Sequence, residues 1–367
     1  MISGRTSERI VDRIDKLREA RAFQNYLEVR ERVLAMKDIE SELLAAEPSA
    51  YWREELENFD YMLDASPLVI EKLRQHTFHV TGVRVYEYRT HKDANHGRYA
   101  EKLAALMELG GPELLVPESP ILGGFGFDID GALYNLDTLK FYESMIALDR
   151  GAVLGDFRES SERKVALEIG GGWGGLAYVF KTLFPNTTYL IIDFPELFLF
   201  SATYLMTAFP DAKVRFYDGS ADAFQELDGA DFVFVPNTAL GAVRPDRLDL
   251  TLNTVSFQEM TTEQVREYVH HVYELGCPFL YSLNRDRSLY NPELSGVREL
   301  VAERYWLHEV PVLPVSYGKM LDEIPSYIRR KAARARDQAQ KLKAFSLVEQ
   351  KKDDYRHVIG WRRMVHD

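Results

Sequence analysis

The chain has 367 residues, a formal net charge of −12, 46% hydrophobic residues and a single cysteine. That length can bury a sizeable core and predicts one large domain with an accessory part, or two domains. The acidic balance argues against a general nucleic-acid binder, which needs a basic face, and one cysteine excludes an intrachain disulfide or a multi-cysteine zinc site.

Cys277, in LGCPFLYS, reads as a buried small hydrophobe. The charged start MISGRTSERI does not look like a signal peptide. No apolar run approaches the ~18 residues of a membrane span. A soluble, cytoplasmic protein that handles a small molecule, with no membrane or nucleic-acid partner, is expected.

Residues 6–47 contain no glycine or proline and space Ile10, Ile14, Leu17, Leu27, Val33 and Leu34 as apolar positions. One or two amphipathic helices are predicted, lying on a body or pairing two copies into a homodimer. Ser66-Pro67 is a helix start, with Ser as cap and Pro in the first turn, and that helix leads to His76 and His79. Residues 97–109 read as helix again. The segment ESPILGGFGFDIDGALYNLDTLKFYESMIAL (118–148) mixes glycine, acids and aromatics before turning helical. It is a candidate pocket wall, with Asp137 as a possible helix cap.

From residue 164 the pattern changes to strands and helices in alternation. KVALEIG, TYLIIDFP, KVRFYD, DFVFVPN, LDLTLNTVS and PFLYSLNR read as strands. LAYVFKTLF, ELFLFSATYLMTAF and TTEQVREYVHHVYELG read as helices, the last ended by Gly276. Apolar strands without alternation, separated by helices, indicate a parallel sheet covered on both faces. The expectation is an α/β, doubly wound Rossmann-like domain over 151–367 with a helical N-terminal region over 1–150. Residues 329–343 hold seven basic residues and one acid, and a solvated helical insertion near 325–352 is predicted. Residues 355–365 read as a final strand at or near the sheet edge.

The segment LEIGGGWGG places five glycines in the six positions 170–175, after the first strand of the α/β part and before its first helix. Glycine admits positive φ and removes the Cβ that would hold a ligand off the backbone, and helix-start N–H groups are free to face what binds. A P-loop needs Gly-Lys-Ser/Thr, and here Gly174-Gly175-Leu176 stands instead. Gly170, Gly172 and Gly175 fit the dinucleotide pattern G-x-G-x-x-G. Glu168 with Gly170, Gly172 and Gly174 fits the acid-x-G-x-G-x-G pattern of an S-adenosylmethionine site. Glu168 favours the latter, because a carboxylate repels a pyrophosphate but suits an ammonium and a sulfonium. Asp193 ends the next strand, 25 residues after Glu168, where a carboxylate can grip both ribose hydroxyls. Asp218, ending KVRFYD, is placed beside the adenine.

With these residues the chain resembles class I S-adenosylmethionine-dependent methyltransferases. More narrowly it resembles a bacterial sugar O-methyltransferase family, through RQHTFHVTG (74–82), LEIGGGWGG (167–175), LNTVSFQEM (252–260) and FDIDGALYNLD (127–137). The resemblance implies in-line displacement of the sulfonium methyl by an acceptor oxygen or nitrogen. It places Asn253 at a strand end as a cofactor contact, Glu259 as a residue that holds or deprotonates the acceptor, and Gln258 as a hydrogen-bonding partner to it. Tyr134 and Asn135 are expected as substrate contacts from a closing N-terminal part. His76 and His79, three apart, share a helix face, and either is a candidate base because histidine titrates near neutrality. No third ligand accompanies them, so no metal is predicted.

The acceptor expected first is a hydroxyl of a sugar or sugar-like molecule of cell-surface or secondary metabolism. The alternative is a nitrogen of a cationic amino acid or amine, and a remote one is an NAD-linked oxidoreductase. A catalytically inactive scaffold is disfavoured by the intact loop and Asp193.

Overall fold

Strongly apolar segments rich in Val, Ile, Leu and Phe form strands because branched and aromatic side chains suit a pleated surface buried on both sides. The computed structural model describes residues 4–42, 48–89, 93–220, 227, 229–286, 291, 293–313 and 355–363. The basic segment 329–343 and the insertion expected near 325–352 lie outside the described residues.

A short hairpin comes first, β1 (Phe127–Ile129) with β2 (Ala132–Tyr134). Its two-residue turn Asp130-Gly131 has both φ values positive, 54° and 83°, as a tight hairpin whose twist matches its strands requires. The main strands follow: β3 (Lys164–Ile169), β4 (Thr187–Asp193), β5 (Val214–Phe216), β6 (Phe232–Pro236), β7 (Leu250–Thr254), β8 (Phe279–Asn284), β9 (Tyr305–Glu309) and β10 (Arg356–Arg362). Among the described residues they form one sheet in the order β5-β6-β4-β3-β7-β8-β10-β9. Pairing is parallel from β5 to β8, and β10 runs antiparallel between β8 and β9. This is the doubly wound α/β sheet expected. The final strand is one position inside the edge; the edge itself is β9, which the sequence pattern does not announce.

Alternate residues of each strand enter different cores. Ala166, Ile191, Phe234 and Leu252 face a layer that contains the N-terminal helices and the helix Phe198–Ala208. Val165, Leu167, Ile192 and Val235 face the layer of the helix Thr262–Glu274. The helix Arg21–Glu42 lies on the body: Tyr26, Val29 and Val33 are buried, and Asn25 Nδ2 donates to Thr207 Oγ1 at 3.1 Å. Cys277 is buried, and burial pushes its thiol up to about 12.

The helix Leu136–Arg150 corrects three expectations. Its cap is Asn135, not Asp137: Asn135 Oδ1 accepts from Thr138 N at 3.0 Å, and Thr138 Oγ1 accepts from Asn135 N at 2.8 Å. The side-chain amide of Asn135 also donates to Glu118 Oε2 and to the Phe125 carbonyl. Asn135 is therefore buried and spent on the fold rather than on a substrate. Tyr134, closing β2, is likewise buried and is not among the residues that line the cavity beyond the carboxyl ends of the strands. Asp137 is fully buried and takes Arg74 Nη2 at 2.8 Å on one oxygen and Lys140 Nζ at 3.2 Å on the other.

Arg74 is the hub of that network. It is completely buried, with Nε 2.8 Å from Glu118 Oε1 and its guanidinium 3.7 Å above the Trp173 ring. Removing this cation leaves two buried acids undercompensated, which typically costs about 3–5 kcal/mol. Arg74→Met is expected to lower the unfolding free energy by about that much, read as a reduced urea midpoint at unchanged m-value. An unaltered midpoint would show that the network carries no net stability.

Candidate active site

The sheet reverses direction of winding at β3, whose neighbours are β4 and β7. Crevices at such a switch point, beyond the carboxyl ends of the strands, are where open α/β sheets bind ligands. A cavity of about 450 Å³ sits there, within the range of small-molecule sites. Three strand ends supply its floor. Glu168 is level with Ile191 and Leu252 across the ladder, so Glu168, Asp193 and Thr254 all fall on the face covered by the N-terminal helices. All three line the cavity.

The strand period of two also decides against Asn253. It points to the other layer, where Nδ2 donates to the Ile169 carbonyl at 2.9 Å and to Ser256 Oγ at 2.6 Å. Its Oδ1 accepts from Phe257 N and from Asn284 Nδ2. Asn253 is absent from the wall and pins the loop after β7 to the glycine corner. The cavity residue is its neighbour Thr254, whose buried hydroxyl has no hydrogen-bond partner among the described residues.

The glycine corner turns as expected but holds its amides differently. Gly170, Gly172 and Gly174 have φ of 73°, 56° and 83°. A Cβ on Gly170 would stand 2.2 Å from Ser256 Oγ. Gly170 N donates to the Ile192 carbonyl, Gly172 N to Asp193 Oδ2 at 2.8 Å, and Gly174 N to the Gly171 carbonyl. These amides are used inside the fold, so the corner serves a ligand mainly by close approach. Gly170, Gly171, Gly172 and Trp173 line the cavity. Gly174 does not; it caps the helix Gly175–Leu183 and abuts Ser201 and Leu205.

Burial dominates the acids. It raises Glu168 to about 8, against the Tyr189 hydroxyl that donates to it at 2.9 Å. It raises Asp193 to about 7, against hydrogen bonds from Gly172 N and from Phe194 N at 2.9 Å. It raises Glu259, also in the wall, to about 8, against the attraction of Lys140 and with the repulsion of Asp193 and Glu55.

Asp218 does not reach the cavity. β6, not β5, pairs with β4, which displaces β5 and the residues after it to the sheet edge. Asp218 is exposed there and accepts from Ser220 N. The place beside Asp193 goes to Asn237, which follows β6. It lines a smaller recess with Gly170, Asp193, Phe194 and Tyr268, and its buried Oδ1 has no hydrogen-bond partner among the described residues.

The opposite wall comes from the N-terminal part. His76 and His79 occupy two successive short helices, Leu73–His76 and Phe78–Thr81, and not one. Only His79 lines the cavity. Burial lowers its pKa, with Glu55 opposing and Arg84 reinforcing. His76 lies outside the wall, 2.9 Å from the Tyr61 hydroxyl through Nδ1. Val80 leans on the loop, 3.1 Å from where a Gly172 Cβ would be. Gln258 is in the wall but largely committed: Oε1 accepts from Arg285 N at 3.0 Å and Nε2 donates to the Tyr355 hydroxyl at 3.3 Å. Glu55, Thr81, Arg84, Lys140, Ser256 and Tyr355 complete the polar lining. No periodic signal marks them, because each reaches the cavity by long-range packing. Among the described residues no group of His, Cys, Asp and Glu is arranged to hold a metal ion, and no helix is long and apolar enough to cross a membrane.

No family model matches the chain, and no curated protein matches it. Solved structures similar to it include phosphoethanolamine N-methyltransferase 2 of Haemonchus contortus in complex with S-adenosyl-L-methionine, at 12% identity and a TM-score of 0.34. The match covers 62% of this chain and 57% of that one. Others are an O-methyltransferase family protein from Burkholderia thailandensis (14% identity, 77% of this chain and 72% of that chain, TM-score 0.34) and human N-acetylserotonin methyltransferase with SAM (12%, 79% and 71%, TM-score 0.31).

Proposed function

We propose that the chain is an S-adenosylmethionine-dependent methyltransferase acting on a hydroxyl of a sugar or sugar-like small molecule. The observation that supports the donor is the convergence of Glu168, Asp193 and the Gly170–Gly172 wall in one cavity at the switch point; the sugar hydroxyl rests on the resemblance of RQHTFHVTG (74–82) and LNTVSFQEM (252–260). When bound, S-adenosylmethionine supplies an electrophilic methyl on a sulfonium. The residues suit it: Asp193 keeps lone pairs for ribose hydroxyls, Asn237 Oδ1 can accept from an adenine amine, and Glu168 and Glu259 suit a cation. A pyrophosphate would meet these same acids and find the Gly172 amide already taken by Asp193, which disfavours NAD. His79, whose pKa burial lowers, is the base for the acceptor's proton at neutral pH, and Glu259 joins it only when ionised in alkaline buffer. A second reading, methylation of a cationic amine, is favoured by Glu55 and Glu259 sharing the wall.

Calorimetry with S-adenosylhomocysteine and NADH tests the donor. Micromolar binding of the thioether is expected, and NADH binding in its place would overturn the proposal. Mass spectrometry of a methyl-transfer screen over sugars, nucleotide sugars, amino acids and amines names the acceptor. Asn237→Ala is expected to weaken S-adenosylhomocysteine about tenfold, as loss of one buried hydrogen bond does, while Asp218→Ala leaves it unchanged; the reverse pattern would return the adenine to β5.

The pH dependence follows from the three acids. Asp193 near 7 and Glu168 and Glu259 near 8 are neutral in acid and ionise as pH rises. The affinity for the cationic donor is expected to increase from about pH 6 to about pH 8.5, more steeply than that for the uncharged thioether. The ligand-free fold moves the other way. The stability these raised acids contribute is fully present below the ordinary carboxylate range and is lost as pH rises through 7 to 8. Parallel pH profiles for the two ligands would show that the acids do not sense the sulfonium.

A further inference from the structure

We propose that Lys140 receives the amino-acid carboxylate of the methyl donor and is held for it by a relay running from Arg74 through Asp137. This rests on the donor reading above. The donor carries a carboxylate as well as a sulfonium, and a carboxylate taken out of water into this wall needs a cation to answer it, the more so as Glu168, Asp193 and Glu259 ionise with rising pH. Two described cationic side chains other than His79 line the cavity, Arg84 and Lys140. Arg84 is exposed and is coupled to His79. Lys140 is the one whose charge reaches both Glu168 and Glu259.

The geometry that holds Lys140 is fixed from below. Its ammonium meets Asp137 Oδ1 at 3.2 Å, and Asp137 Oδ2 meets Arg74 at 2.8 Å. The Arg74 guanidinium lies 3.7 Å above the ring of Trp173, itself part of the glycine corner. Burial acts to raise the Asp137 carboxyl, but the ammonium of Lys140 and the guanidinium of Arg74 outweigh it and keep it ionised. The relay therefore ties the ammonium to the corner against which the donor rests. One carboxylate uses one of the three N–H donors of a lysine and leaves two for a ligand. Arg74 and Asp137 are positioning residues in this scheme; of these three residues Lys140 is the one that touches the donor. The capping box at Asn135 and Thr138 starts the helix that carries Lys140.

The test compares two ligands that share adenosine and thioether: S-adenosylhomocysteine, which has the amino-acid group, and 5′-methylthioadenosine, which lacks it. Lys140→Met is expected to weaken S-adenosylhomocysteine about tenfold or more, as a lost charge-assisted hydrogen bond does, and to leave 5′-methylthioadenosine within about twofold. Lys140→Arg keeps the wild-type ratio of the two dissociation constants. Asp137→Asn shifts the ratio in the same direction as Lys140→Met. The ratio is insensitive to the fraction of folded protein, so a destabilised variant still reports. Equal loss of both ligands, or no loss of S-adenosylhomocysteine, overturns the role of Lys140, and an unshifted ratio in Asp137→Asn overturns the relay. A wild-type chain that binds neither ligand overturns the donor reading itself, and this proposal with it.

Discussion

His79→Ala is expected to lower turnover by about 10²–10⁴, the usual contribution of a positioned general base, with S-adenosylhomocysteine affinity unchanged. His79 lies in the cavity wall, its ring 3.9 Å from Phe78 and near Phe59 and Tyr61. Burial among these rings favours the neutral imidazole, so the base is unprotonated at neutral pH. Glu259 behaves differently. Its carboxyl, raised to about 8, is largely protonated at neutral pH and becomes a base only above that. Glu259→Gln is therefore expected to lower turnover more in alkaline than in neutral buffer. Steady-state kinetics across pH separates the two. Full turnover in both variants would remove both candidates, and a His76→Ala defect equal to that of His79→Ala would point to packing around Tyr61 instead.

Asp193→Ala is expected to weaken S-adenosylhomocysteine by about a hundredfold or more, since hydrogen bonds to a charged group contribute about 1.5–3 kcal/mol each. Two effects add. The ribose loses its acceptor, and the N–H groups of Gly172 and Phe194 lose theirs, which loosens the corner that the ligand must approach. Asp193→Asn retains one carbonyl oxygen and is expected to fall between wild type and alanine. Calorimetry measures the binding, and thermal melts of the ligand-free variants isolate the loosening. An alanine variant that binds as wild type would place the ribose elsewhere.

The elements of the sheet and the glycine corner are legible in the amino-acid sequence because they are local. Buried parallel strands are continuous apolar runs, and a Gly-rich turn between strand and helix has few alternatives. Glu168 and Asp193 stand out for the same reason: each sits at a fixed offset from such a run. The β1–β2 hairpin escapes a reading of the sequence although Asp130-Gly131 is a strong turn signal, because its strands are three residues each. β9 escapes because an exposed edge strand carries no apolar run; four of its five residues are not buried.

Which side chains meet is settled only in three dimensions. A strand buried on both faces shows no alternation, so its sequence does not say which residue at its end faces the ligand, and Thr254 replaces Asn253 by one step of the pleat. The place of β6 beside β4 leaves Asp218 exposed toward the sheet edge and sets Asn237 in the recess beside Asp193, a choice made by pairing between strands and not by either strand's residues. Asn135 and Asp137, polar residues beside aromatics, look like a pocket wall in one dimension. They are instead consumed by Thr138, Glu118 and Arg74, because a buried polar group must find partners wherever the chain brings them. The sheet's elements, the glycine corner and the two acids beside it follow from residues close together along the chain. The cavity's other walls exist only where folding brings distant residues into contact.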